Sequence, residues 1–178
     1  MELGLTIPLQ RHLGIKALPY GEELDQRFCW DLHAISLRGH ASLLAVHCHT
    51  RYAFVLYNLS RVDWEHLSDV FRKGLKRSLS AVGLPDETVE LLCDGCQPLF
   101  TKTHGRREAA FLNRAWNDVM AAELALDEST QSQPLLDQLV NAKPSRCAGF
   151  DGLGAAAERL AIILDNPHQT VLPAPPLT

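Results

Sequence analysis

Three groups of residues combine reactive side-chain types with informative spacing. The first is Lys102-Thr103-His104-Gly105-Arg106-Arg107, which leads into a long helical stretch that includes Asn113 and Asn117. At about 100° per residue, Arg106, Ala110, Asn113 and Asn117 fall in one narrow stripe. That stripe borders the apolar face expected for this helix, made by Ala109, Leu112, Trp116, Val119 and Met120. An arginine, a small residue and two asparagines there form a polar seam, and a helix start leaves backbone N–H groups unpaired beside Arg106. Thr103, Arg106 and Asn113 are therefore a candidate site for a small anion or a protein partner. The competing reading has Arg106 and Asn113 bonding to loop carbonyls and fixing the sheet on the helix.

The second group is Cys93-Asp94-Gly95-Cys96. A redox pair of this spacing normally opens a helix, where the positive dipole end favours a thiolate. Here the pair follows an expected helix over 85–93, so a catalytic redox role is not expected. As metal ligands the cysteines need two companions. His47 and His49 lie two apart in an expected strand and so share a face. His47, His49, Cys93 and Cys96 would make a Cys₂His₂ site for a metal-dependent enzyme. The plainer reading is that the cysteines are small apolar fillers and the histidines end a strand.

The third group is Arg72, Lys73, Lys76 and Arg77, opposite the apolar stripe of an expected helix. Four positive side chains within two turns can bind nucleic-acid phosphates. Glu65 and Asp69 precede them, however, and Asp69 stands four residues before Lys73, the favourable order for an ion pair. A solvated helix face is the favoured reading of the strip. Other signatures are absent: there is no Walker-type loop and no nucleophile elbow. The glycines of Gly149-Phe150-Asp151-Gly152-Leu153-Gly154 follow no strand, so they start a helix instead of forming a dinucleotide site. No cofactor is expected.

The elements that must position these groups are legible in outline. Glu2 to Ile7 alternates loosely, as a short strand does. Residues 28–58 are β-rich, with strands at Ala41 to His49 and Arg51 to Asn58. The second strand is apolar on both faces, which predicts a central position. Asp63 is the expected N-cap of a helix carrying Leu67, Val70, Phe71, Leu75, Leu79 and Val82, stopped by Gly83. A short helix over 85–93, a strand over 99–103 and the long helix from Gly105 to about Leu126 follow. Weaker helices are expected over 134–142 and 153–164.

The 178 residues include 46% hydrophobic and 21% charged positions, ordinary for one globular domain. The formal net charge of −4 argues against a globally basic nucleic-acid binder. Residues 123–178 hold 3 basic and 7 acidic side chains and account for all of it, which argues against phosphate contact there. Five cysteines and no apparent signal segment predict reduced thiols in the cytoplasm. No apolar run reaches the ~20 residues of a membrane span.

Trp30, the stretch from His40 to Asn58 and the following helix, together with Thr103-His104-Gly105-Arg106 and Asn113, resemble a family of small bacterial proteins catalogued only as a domain of unknown function. The family pattern is a tryptophan, a hairpin, an amphipathic helix, then T-x-x-R-S-x-x-G-x-x-N-D. Thr103, Arg106 and Asn113 fit this last motif, while Ala110 replaces its Gly and Arg114 its Asp. The resemblance covers roughly residues 1–120 and implies no activity.

The expectation is an α+β domain: a small, mainly antiparallel sheet with helices packed on it. Residues 1–126 form its core, 127–165 a helical extension, and 166–178 a mobile Pro-rich tail. The expected function is a non-catalytic binding or regulatory module, with the metal-dependent enzyme and the nucleic-acid-associated protein as alternatives.

Overall fold

The structure, a computed structural model, describes residues 1–22, 25–94 and 97–165. The expected Pro-rich tail over 166–178 and Cys96 lie outside the described residues. Five strands form one sheet: β1 (Glu2–Leu5), β2 (Cys29–Leu37), β3 (His40–His47), β4 (Ala53–Leu56) and β5 (Leu99–Lys102), in the order β4-β3-β2-β1-β5. Arg38 and Gly39, with φ of 46° and 82°, turn β2 into β3, a hairpin geometry with two left-handed residues. The α+β architecture is as expected, but the sheet is mixed instead of mainly antiparallel. β1 runs parallel to both β2 and β5, while β2–β3 and β3–β4 are antiparallel. The cause is the crossover through α1 (Ile7–His12), which returns the chain to lay β2 alongside β1 in the same direction.

Alternation along the strands produces two cores. On one face Trp30, Leu32, Leu43, Ala45, Phe54 and Leu56 meet α3 (Leu67–Ala81), whose Phe71, Leu75 and Leu79 recur every four residues and are fully buried. Gly74 lets this helix approach β4: a Cβ there would lie 2.7 Å from Leu56 Cδ2. On the other face Ile35, Leu44, Val46, Val55 and Tyr57 meet α5 (Arg106–Ala121). α7 (Ala156–Asp165) adds Leu160 and Ile163 to the first core.

Two expectations need correction. Ser60, not Asp63, begins the first amphipathic helix. Its hydroxyl accepts the Asp63 N–H and the Asp63 carboxylate accepts the Ser60 N–H, a reciprocal capping box that opens α2 (Arg61–Glu65). The chain breaks at His66 before α3 begins. β4 is also an edge strand and not a central one. Its outer backbone groups bond instead to α6 (Pro134–Ala142): Ala53 N–H to Asn141 Oδ1 at 2.8 Å and Val55 N–H to Asp137 Oδ1 at 2.9 Å. Its apolar faces are covered as expected, by the first core over Phe54 and Leu56 and by the second over Ala53 and Val55. Among the described residues no helix is long and apolar enough to cross a membrane.

Candidate functional site

A buried polar cluster forms where β1, β2 and the β5–α5 junction meet. Register sets Glu2 opposite Cys29 and Gly4 opposite Asp31 and Thr101, so these positions share one sheet face. Gly4 leaves a slot on that face, and His104, just past β5, folds into it. A Cβ on Gly4 would lie 2.1 Å from Asp31 Oδ1 and 2.9 Å from His104 Nδ1, so glycine is required by close approach.

The imidazole stands between two carboxylates. Its Nδ1 lies 2.6 Å from Asp31 Oδ1 and its Nε2 3.2 Å from Glu2 Oε2. Cys48 Sγ is 3.3 Å from the same Nδ1. Burial alone would lower the His104 pKa, but the bonds to Asp31, Cys29 and Cys48 outweigh it and raise it well above the ordinary value, so His104 carries a proton at neutral pH. Burial raises Asp31, and the His104 contacts offset this only in part. Burial also pushes the Cys48 thiol far up, which removes it as a nucleophile. A cavity of about 220 Å³ reaches this cluster, with Tyr20, Gly21, Cys29, Cys48, His104 and Glu108 in its wall.

A larger cavity, about 400 Å³, opens on the other side of the α5 start. Arg107, Ala110, Phe111 and Arg114 line it from the helix, and Arg146 and Phe150 from the loop before α7. Arg51 backs this wall. It is 8% exposed, its φ of 65° is left-handed, and its Nη1 donates to the Arg146 carbonyl at 2.8 Å. Its guanidinium carbon sits 5.3 Å from the Phe111 ring centroid, and its buried Nε has no hydrogen-bond partner among the described residues. Burial, then the charges of Arg114 and Arg159, lower the Arg51 pKa, although Cys147 pulls the other way. Arg159 holds the loop by donating to the carbonyls of Thr50, Ser145 and Gly154 at 2.7–3.0 Å.

A family model described as "Domain of unknown function (DUF6933)" matches residues 2–153. The chain belongs to the DUF6933 family. No curated protein matches it at a significant level. The DUF6933 match extends past the residues that carry the sequence resemblance and takes in β1 to β5, α1 to α6 and both cavity walls up to Gly152.

Within this DUF6933 domain the residues singled out from sequence are scattered. Thr103 lines the smaller cavity. Arg106 and Asn113 are exposed, and among the described residues neither bonds to another side chain or to the backbone. The apolar face of α5 differs from the expected one. Glu108, Phe111, Leu112, Ala115 and Val119 point inward, while Ala109 and Met120 are exposed. This is a turn of roughly 80° about the helix axis, which moves the Arg106–Asn113 stripe from the core border to the solvent side.

β3 ends at His47, so the strand spacing that would align His47 with His49 stops there. His47 is fully buried: its Nδ1 accepts the Thr50 N–H at 3.2 Å and its Nε2 faces the Arg27 carbonyl at 3.2 Å. Both ring nitrogens thus serve the turn, and burial lowers the His47 pKa to about 3, keeping it neutral. His49 Nδ1 lies 3.0 Å from Gln26 Oε1, with its ring against Phe150. Cys93 is buried in the first core near the end of α4 (Asp86–Asp94).

On α3, Arg72 pairs with Asp69 at 2.7 Å, Lys76 with Glu90 at 3.8 Å, and Arg77 reaches Ser132; Lys73 is exposed. Glu2, Asp31 and Cys29 were missed from sequence because they look like ordinary alternating strand positions. The available signal was Gly4, a residue without a side chain inside a strand.

Proposed function

We propose that this DUF6933 domain is a binding module for a small anionic ligand, held in the arginine-lined cavity between α5 and the loop over 146–152. The observation that carries this reading is the wall itself: Arg107, Arg114 and Arg146 face one 400 Å³ space, and among the described residues none that lines it is acidic. Guanidinium groups bind carboxylate and phosphate through parallel N–H bonds. Phe111 and Phe150 add flat apolar surface, which favours an anion attached to a planar ring. Arg106 is exposed one residue before Arg107 and stands outside this wall.

The Cys147 thiol in the wall supports binding over catalysis. Burial raises its pKa, and its S–H donates to the His49 carbonyl at 3.3 Å. Cys48 and Cys147 are free thiols, which supports a reducing compartment such as the cytoplasm.

Thermal melting at constant ionic strength, with inorganic phosphate, citrate and a nucleoside monophosphate in turn, tests the reading. The expected result is a rise in melting temperature for at least one of them, since a ligand at ~100 times its Kd adds about 2.7 kcal/mol. The Arg114→Ala/Arg146→Ala double variant should lose that rise. No rise beyond that of chloride overturns the reading.

A further inference from the structure

The second polar region is independent of the arginine cavity. Its donors are of mixed hardness: two thiols, one imidazole and two carboxylates. Cys29 and Cys48 are brought side by side by the ladder beyond β3, where the Cys48 N–H donates to the Cys29 carbonyl at 3.0 Å. Ligand atoms of Asp31, Cys48 and His104 all lie within 4.8 Å of one another, and so do those of Glu2, Cys29 and His104. The imidazole therefore divides the cluster. Its Nδ1 faces Asp31 and Cys48, and its Nε2 faces Glu2.

This division matches what a bound cation needs. A histidine ligand coordinates through one nitrogen and gives the N–H of the other to a carboxylate, which fixes tautomer and ring orientation. Cys48 Sγ and His104 Nδ1, 3.3 Å apart, already have the separation of two ligands on one tetrahedral ion with bonds of about 2.0–2.3 Å. Asp31 Oδ1, at 2.6 Å from Nδ1, reaches that geometry by swinging outward about 1 Å. The adjoining cavity borders both Cys48 and His104 and leaves room for a water as fourth ligand. Thiolate, imidazole and carboxylate together suit zinc better than magnesium or calcium, which take oxygen ligands.

We infer that Asp31, Cys48 and Nδ1 of His104 form a site for a zinc-type divalent cation, with Glu2 on Nε2 as the positioning carboxylate. Binding sends two protons to solvent, one from Nδ1 and one from the Cys48 thiol, and involves no change of oxidation state. The ion takes the place of the proton now held between His104 and Asp31.

The test is titration of the metal-free full chain with Co²⁺, followed by Zn²⁺. A thiolate-to-cobalt charge-transfer absorption that saturates at one equivalent and is bleached by Zn²⁺ is expected. Cys48→Ser should abolish the absorption and Cys93→Ser should keep it. Glu2→Gln should keep it with affinity lowered about 10–100-fold, the usual effect of removing an outer carboxylate. No absorption in the wild type overturns the site whatever the variants do. Absorption that survives in a folded Cys48→Ser, or is lost in Cys93→Ser, also overturns it, by placing the ion elsewhere. Should Cys48→Ser not fold by circular dichroism, Asp31→Asn must lower the affinity at least tenfold, and unchanged affinity overturns the assignment.

Discussion

Asn141 pairs with Ala53 through both halves of its amide. Oδ1 accepts the Ala53 N–H at 2.8 Å and Nδ2 donates to the Ala53 carbonyl at 2.6 Å. A side chain on α6 thus does for β4 what a neighbouring strand would do. Asp137, one turn earlier, takes the Val55 N–H in the same way. The open edge of the sheet is sealed by a helix, and α6 is bound to the sheet by more than apolar contact.

Replacing Asn141 with Leu should therefore cost about 2–4 kcal/mol, because a buried N–H and a buried carbonyl both lose their partner. Urea unfolding of the two proteins measures it. A loss below about 1 kcal/mol would mean that Ala53 finds water or a new partner.

Asp137 makes stability depend on pH. Burial raises its pKa from 3.8 to about 8, although the Val55 N–H and the Ser78 hydroxyl pull it down. Below pH 3.8 the carboxyl is protonated in folded and unfolded chains, and its full contribution is present. As pH rises toward 8 the unfolded chain releases the proton and the folded chain keeps it, so stability falls; above that the loss is complete. Asp137→Asn has no proton to release. Its stability relative to wild type should rise across this window, as read from unfolding midpoints at pH 5 and pH 8.5. Parallel curves for the two proteins would refute this origin.

Gly4→Ala should destabilise the domain by about 1–3 kcal/mol or more, because the new methyl group meets Asp31 Oδ1 at 2.1 Å and Thr103 Cα at 2.9 Å. The flexible Leu56 side chain gives Gly74→Ala an easier escape, so that change should cost less. Melting temperatures of the two variants, measured together, check the order.

Arg106→Ala and Asn113→Ala should each leave stability within about 0.5 kcal/mol of wild type, as exposed residues without partners do. A larger loss in denaturant titration would indicate that these side chains hold the fold.

Periodicity made part of this molecule readable. The spacing of Phe71, Leu75 and Leu79 gave α3, and the apolar faces of residues 53–56 gave a strand covered on both sides. The same patterns misplaced β4, because nothing in its own residues says that Asn141 and Asp137 will satisfy its edge. They also misrotated α5. The pattern puts Met120 in the core, whereas the inward positions include Glu108, which is buried and pairs with Arg107 at 2.6 Å. The His104 cluster was hidden for a different reason. Its members stand at positions 2, 29, 31, 48 and 104, and only pairing of β1 between distant strands brings them together. Segment charge misleads as well: the acidic residues 123–178 contribute Arg146 to the arginine-lined cavity.

The placement of β1 also dictates an order of events during synthesis. Glu2 pairs with Cys29 on one side and with Leu99 on the other. The β2–β3–β4 meander closes through short loops and can form while the chain is still emerging. β1 must wait on one edge until β5 is made, and His104 follows immediately behind. The acidic pair and its imidazole therefore meet only after residue 104 has been made. A nascent chain stalled before residue 99 exposes the free edge of β1, a template for pairing with another chain, so this is the interval in which a chaperone has most to protect.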